Sequence, residues 1–406
     1  MNEVEYNKKV ELSNKIYPIF SGISGDLLFW IAINTIFLTV VKGFNAAQIS
    51  SLSAIGNLIT ILIYPIAFKI IKKIGNIKSI KLGTVLLLCS AILITFANKY
   101  LIILLGHILY DSAFLFKNMD NVILRKNLKY VNKEKDYIKI QNKSSFIYSL
   151  ITMLIAFTAG FLFNINNYLP MILCISFCVL SVILSNFLYE YKNNENDELK
   201  EKQKLSITKL IFLILLLYAS LYATIDLGQS NSKLFIQYKL SSFLEISKVS
   251  IYLSIIIAIS RMVRVISDYF FTKHFKGKNK QVLYVIGYTL IGAFISIIFG
   301  SMLKLKIIGI VLMALGFFVF LGIRDLFANY IKTLLLNSCS EKYHEQAITY
   351  LTLSRKVGKF LIGGAITLIL LKFDLIYVII FLLIISILNI LIIKKICDLL
   401  KNKEEQ

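Results

Sequence analysis

Long apolar runs separated by short polar breaks make up nearly the whole chain. A helix needs about 20 apolar residues to cross the ~30 Å hydrocarbon core of a bilayer, and runs of that length read as membrane spans. Twelve can be marked off. The first six cover about 16–41, 49–71, 82–97, 101–122, 144–163 and 169–189, and the second six about 207–228, 247–270, 282–303, 307–330, 348–371 and 375–397. Between the two sets lies EYKNNENDELKEKQKLSITK (190–209), rich in Asn, Glu and Lys and without an apolar run. Such a segment buries too little apolar surface to fold alone and is expected to be a flexible linker. The pattern predicts an all-α membrane protein of twelve transmembrane helices. They form two pseudo-symmetric six-helix bundles at 1–189 and 207–406, joined by a linker at 190–206.

Composition agrees with this division. The 406 residues are 57% hydrophobic and 17% charged, with a mean hydropathy of +0.74, more apolar than a soluble domain. Only Pro18, Pro65 and Pro170 interrupt the apolar runs, so most spans are expected to be unbroken. The net charge of +22 comes from basic residues scattered over many short loops. That placement argues for an anionic membrane surface as partner rather than nucleic acid. With the N-terminus placed inside, the inner segments carry 30 Lys and Arg. The outer loops carry 8, namely Lys42, Lys99, Lys233, Lys239, Lys248, Lys304, Lys306 and Lys372. This bias places both termini and the linker in the cytoplasm, with the chain in the cytoplasmic membrane. The first span is too long for a signal-peptide core and is expected to remain in place. Five cysteines give no disulfide framework. Cys174 and Cys178 share a helix face inside an apolar run and read as small buried side chains rather than a metal site.

The two halves echo each other. Lys42, Ile49 and Ser50 after the first span recur at one shared offset as Lys239, Ile246 and Ser247 after the seventh. A long inner loop follows the fourth span and the tenth. Twelve spans, a 6+6 division, inner termini and the loop between spans 2 and 3 together resemble the major facilitator superfamily of secondary transporters. That loop reads Lys72-Lys73-Ile74-Gly75-Asn76-Ile77-Lys78. It keeps the glycine and basic character of the family's loop motif but has Lys72 where the family has an acid. The matching loop of the second half keeps an acid, Arg264-Val-Ile-Ser-Asp268. Span 5 lacks the proline of the family's antiporter signature. The resemblance implies a solute site between two rocking halves, with Gly75, Lys73, Arg264 and Asp268 as gate or conformational residues.

Charged side chains inside the spans are the candidate site. An ionisable group at mid-bilayer costs about 2.5–3.5 kcal/mol on insertion scales and is usually kept for a task or a partner. Asp26, Asp111, Asp226 and the adjacent Arg324 and Asp325 fall in spans 1, 4, 7 and 10. In the family these spans line the central cavity. Asp26, Trp30 and Asn34 follow at steps of four along one helix face, as do Tyr218, Tyr222 and Asp226. These residues, with Asp111 and Arg324, are the expected substrate-binding set. The alternative for Asp26 is a bond to a neighbouring helix with Trp30 packed in the core. His107 and Asp111, also four apart, are the candidate proton carriers. Lys117 and Asp120 are three apart and are expected to neutralise each other as a structural pair. Arg324 and Asp325 diverge by about 100° on a helix and are not expected to pair directly. Arg324 then serves either an anionic group of the solute or a span 4 acid such as Asp120. The run Arg355-Lys356-Val-Gly-Lys359 is expected to anchor span 11 at the inner surface. More acids than bases in this set lean toward a cationic or proton-linked solute.

No Walker loop, HExxH, CxxC or GxSxG occurs. No enzyme activity, cofactor or metal is therefore expected, and the energy source is an ion gradient or the solute's own gradient. The expectation is a monomeric secondary active transporter of a small solute, working by alternating access with proton coupling, in either direction. The alternatives are a lipid or glycolipid flippase on the same fold, or a membrane sensor or scaffold that transports nothing.

Overall fold

The computed structural model describes residues 3–191, 205–274, 279–340 and 343–404. Most of the 190–206 linker lies outside them. The described residues form helices and connecting turns, with no strand. In chain order the helices are α1 (Glu3–Ile23), α2 (Leu28–Ile36), the π-helix π1 (Phe37–Val41), α3 (Ala46–Ile74), α4 (Asn76–Phe96), α5 (Tyr100–Lys117) and α6 (Asp120–Tyr130). Then come α7 (Tyr137–Ile165), α8 (Leu169–Ser185), α9 (Lys209–Leu217), a second π-helix π2 (Tyr218–Tyr222), α10 (Ala223–Ser241) and α11 (Ile246–His274). The last four are α12 (Asn279–Met302), α13 (Lys306–Asn337), α14 (His344–Leu370) and α15 (Leu375–Glu404). Ten stretches among the described residues are long and apolar enough to cross a membrane.

The chain packs as two compact units. One comprises Met1–Phe37 and Ile59–Lys200, and the other Leu38–Leu58 and Glu201–Gln406. In the first, α1 packs on α7, and α4 packs on α5 and α8. Phe20, Ile80, Ile123 and Leu188 form one buried cluster there, and Tyr17, Leu124 and Leu128 another. In the second, α13 packs on α11 and α12, α12 on α15, and α14 on π2. The outward faces are apolar. On α7, Phe146, Leu150, Leu154, Phe157 and Phe161 recur at steps of three and four and are all exposed. A stripe of that length facing water would drive association. Facing lipid it is the ordinary surface of a membrane helix.

Four features differ from the pattern-based expectation. The first span is not one helix: residues 24–27 leave helical geometry between α1 and α2. Pro18 lies inside α1 without ending it. The break falls at Gly25-Asp26, where the Asp26 carboxylate accepts the Leu27 N–H at 2.8 Å. A side-chain acceptor that captures a neighbouring N–H competes with the helical ladder. The seventh span does not stop at Gly228, because α10 runs on to Ser241. Lys233, expected in an outer loop, is therefore inside a helix and 5% exposed. The basic stretch after span 4 is not an open loop but contains α6. Its apolar positions Ile123, Leu124 and Leu128 face the core of the first unit. Finally, α14 starts at His344, so Arg355 and Lys359 sit well inside the helix rather than at its start.

The irregularities of the two first spans correspond. Lys42 and Lys239 are 197 residues apart. The same shift lays π2 over residues 21–25, at the edge of the Gly25-Asp26 break. Single-turn π segments are rare and gather at functional sites.

Candidate substrate site

The polar interior of the first unit is built around the break in its first span. Tyr110 of α5 donates its hydroxyl to Asp26 Oδ1 at 2.5 Å, and Leu27 N–H reaches the same oxygen. Gly25 is required beside it, since a Cβ there would lie 2.9 Å from the Tyr148 ring of α7. Trp30 is buried and meets the His107 ring edge-on at 5.5 Å. His107 also lies edge-on to Tyr110, at 6.4 Å. Asp111 is near enough to act electrostatically on His107, yet the imidazole Nε2 is buried with no hydrogen-bond partner. Asn34 uses its side-chain oxygen on the Thr35 N–H at 2.8 Å. Asp26, Trp30, His107 and Asp111 thus come together. Tyr110, which sequence reasoning passed over, supplies the shortest bond in the group. Where α5 ends and α6 begins, Lys117 and Asp120 pair at 3.1 Å and are both buried, so Asp120 already has its counter-ion.

The loop between α3 and α4 turns on Gly75. Its φ of 82° lies in the left-handed region, and a Cβ there would meet nothing within 4 Å. Glycine is needed for the backbone turn and not for packing. Asn76 bonds Glu190 Oε1 at 2.6 Å, and Lys126 pairs with the same oxygen at 3.2 Å. Lys73 is exposed.

The second unit holds a larger charged cluster, organised by π2. Tyr218 and Tyr222 lie on π2 with ring centroids 5.2 Å apart, and Tyr218 also stacks on Phe327 at 5.9 Å. Asp226, one turn on in α10, is bonded by Lys359 of α14, and Arg324 Nη1 of α13 stands 3.6 Å from it. Arg324 also reaches its own neighbour, Nε to Asp325 Oδ1 at 3.1 Å. The expectation that these adjacent residues do not pair is corrected here: the guanidinium stem is long enough to swing back across the 100° between them. Arg264 Nε of α11 lies 2.5 Å from the other Asp325 oxygen. Arg264, expected to brace Asp268, thus also engages Asp325. Asp268 lies in α11, and its side chain falls outside the described residues.

Two more basic side chains enter from α14. Lys359 is 15 residues past the start of α14 at His344, about 22 Å along it at ~1.5 Å per residue. Arg355, one turn before it, sets its guanidinium 5.3 Å from the centre of the Tyr222 ring. The expectation that Arg355 and Lys359 merely anchor the span at the surface does not fit this placement. Gly358 between them explains the close approach. A Cβ at Gly358 would collide with the Ala219 carbonyl oxygen, so α14 lies backbone to backbone on π2. Arg261 and Lys233 are buried close by, 4% and 5% exposed, with Lys233 near enough to Arg261, and Arg261 to Asp325, for their charges to interact. In partly buried surroundings, at an effective dielectric near 20, two unit charges 4 Å apart interact by about 4 kcal/mol. The sign of the surplus charge therefore matters to what the cluster accepts.

The strap Leu38–Leu58 is also part of the second unit. Gln237 of α10 donates to the Thr39 hydroxyl at 2.6 Å, and Thr367 of α14 donates to Ser50 at 3.2 Å. Gly363 faces Ala54, with space for about one methyl group. Among the described residues, no group of three or more His, Cys, Asp or Glu side chains is placed to hold a metal ion.

No protein-family profile and no curated protein sequence matches the chain. Solved structures do. The nucleoside transporter NupG superposes with a TM-score of 0.72 at 14% identity, over 96% of this chain and 99% of that one. A point mutant of the same transporter gives 0.72 at 11% identity, with the same coverage. A bacterial homologue of iron transporter ferroportin, in an inward-facing state, gives 0.63 at 15% identity, over 98% of this chain and 99% of that one. At such identities the likeness is one of fold, and it extends over nearly the whole of each chain. The chain has the fold of the major facilitator transporters.

Proposed function

We propose that this protein is a secondary transporter that carries a small solute across the membrane by alternating access, with a proton as the coupling ion. The ten stretches that meet the length and hydropathy criteria are joined by two more rods. One is α8, apolar but only 17 residues long, and the other is α14, which carries Arg355, Lys356 and Lys359 within its span. We count these two as spans as well, in support of the twelve that the sequence pattern predicts. The observation that carries the reading is the state of the two first spans. Each departs from the α-helix at corresponding positions, and a bonded carboxylate sits at or beside each departure: Asp26 at the Gly25 break, Asp226 one turn beyond π2. Interrupted helices with charged groups at mid-bilayer are how such folds build solute and ion sites.

The labour is divided between the units. Asp26, with Tyr110, His107 and Asp111 around it, carries the proton in the first unit. Asp226, Arg324, Lys359 and Tyr222 hold solute in the second. The strap Leu38–Leu58 acts as a seal that must detach from α10 and α14 at another stage of the cycle. The contacts that hold it there include two hydrogen bonds and a small-residue pair. The test is transport by purified protein in liposomes, wild type against Asp26→Asn and Asp226→Asn. Both variants should lose gradient-driven accumulation in the protein that remains folded, and Asp226→Asn is compared at equal folded amount because it also breaks the pair with Lys359. Accumulation that persists unchanged in both would remove the assignment.

A further inference from the structure

We infer that the second unit holds a binding site for a small solute bearing an oxyanion, a carboxylate or a phosphate, with Arg355 as its principal ligand. The inference deepens the transport reading and rests on it. Sequence alone leaned the other way, because Arg355 and Lys359 read as surface anchors and Lys233 as a loop residue. The structure gathers them with Arg261, Arg264 and Arg324 around two carboxylates, Asp226 and Asp325. Among the described side chains, six basic groups stand against these two acids, a formal excess of four positive charges, and Asp268, outside the described side chains, would lower it to three. A cationic solute entering this interior would be repelled, and an anion would be drawn in.

The two acids are already engaged. Asp325 is held by Arg264 and Arg324, and Asp226 by Lys359 and Arg324. Arg355 is engaged less fully. Its guanidinium rests against Tyr222 and bonds the Tyr222 side chain, Asp226 lies near enough for their charges to interact, and its Nε is buried with no hydrogen-bond partner. A buried guanidinium donor left unused is costly and calls for an acceptor. The planar fork of arginine matches a carboxylate or phosphate with two parallel bonds. Tyr218 and Tyr222 supply aromatic faces beside it for the rest of the solute. The competing explanation is that Arg355 only braces Tyr222 as a cation–π contact. That predicts a stability role and no response to anions.

The test uses the full-length protein in neutral detergent and follows thermal unfolding at constant ionic strength. Sodium chloride is exchanged for inorganic phosphate, glucose 6-phosphate, citrate or glutamate, with glucose and choline chloride as neutral and cationic controls. A bound solute raises the unfolding temperature with its concentration. At least one oxyanion should do so saturably beyond chloride, and phosphate esters against carboxylates will identify the headgroup. Arg355→Gln should weaken the apparent affinity by about tenfold or more, the scale of a lost charge-assisted bidentate contact. Should that variant fold poorly, Arg355→Lys keeps the charge and the contact with Tyr222 but loses the fork, and it too should bind more weakly at a near wild-type unfolding temperature. The inference is overturned if no oxyanion stabilises wild type beyond chloride, if only glucose or choline does, or if Arg355→Lys and Arg355→Gln keep the full response. Liposome uptake of the same compounds separates the two proposals. A bound oxyanion that is not carried sinks the transport reading and leaves the site standing. Carriage of glucose or choline without oxyanion binding sinks the site and leaves transport standing.

Discussion

Gly358→Ala adds one methyl group where α14 crosses π2. The ideal Cβ would overlap the Ala219 carbonyl oxygen and crowd its carbon and Cα. All of these are backbone, so no rotamer change can make room, and the helices must part. Overpacking a tight contact costs about 1–3 kcal/mol. Parting α14 from π2 also withdraws Lys359 from Asp226, and breaking a buried ion pair outright costs about 3–5 kcal/mol. Against this, alanine exceeds glycine in helix propensity by about 1 kcal/mol. A partial loosening of the ion pair then gives a net loss of about 2–4 kcal/mol, from the same two terms. Gly364 is the internal control, since a Cβ there meets nothing within 4 Å. Gly364→Ala should be neutral or stabilising by up to ~1 kcal/mol. Reversible unfolding in mixed micelles measures both, and solute uptake measures the consequence for the site. Equal stability of the two variants would refute the argument that glycine at 358 is what brings the basic residues of α14 onto π2.

Other outcomes follow from the same geometry. Asp226→Asn should destabilise by about 3–5 kcal/mol because it strands buried cations, and the double variant Asp226→Asn/Lys359→Gln should recover part of that loss in a double-mutant cycle. Tyr110→Phe removes the 2.5 Å bond to Asp26. It should alter the pH profile of uptake while costing about 1.5–3 kcal/mol in unfolding, the scale of a hydrogen bond to a charged group. Breaking the Lys117–Asp120 pair with Asp120→Asn should lower stability by about 3–5 kcal/mol, and the surviving folded fraction should keep the same substrate preference. Gly363→Leu overfills the space against Ala54 in the strap. It should make a cysteine placed at Ser50 react faster with a soluble maleimide, and an unchanged rate would show that the strap contact does not act as a seal.

The sequence was most legible where burial and periodicity coincide. Twenty-residue apolar runs force helices in a bilayer whatever their neighbours, so the all-helical class with many candidate membrane spans could be read without coordinates. Asp26, Asp111, Asp226 and Arg324 stood out because charge in an apolar run is expensive. What could not be read depends on where a helix begins. Four residues separate the expected start of span 11 at 348 from the actual start of α14 at His344. That shift is enough to turn Arg355 and Lys359 from expected surface anchors into side chains within the charged cluster. Their i,i+4 spacing was the available signal. Lys233 was misplaced for a related reason. The stretch from Gln229 to Lys239 has low hydropathy, but α10 buries Asn231, Ser232, Lys233 and Gln237 inside the unit instead of ending. Polar residues that face a protein interior lower the hydropathy of a span just as a loop would. The break at Gly25-Asp26 escaped notice because proline was the only helix breaker weighed, whereas a carboxylate beside a glycine achieves the same end.

The central claim is that the bonded acids beside the two irregular first spans belong to a transport cycle. It is tested most directly by loading proteoliposomes from a mixed solution of small metabolites, with and without a pH gradient, and identifying by mass spectrometry what accumulates inside. An oxyanion-bearing solute should be concentrated above its external level only when the gradient is present, and Asp26→Asn should abolish the effect. Contents that match the bathing solution under every condition, or accumulation untouched by Asp26→Asn, would contradict the claim.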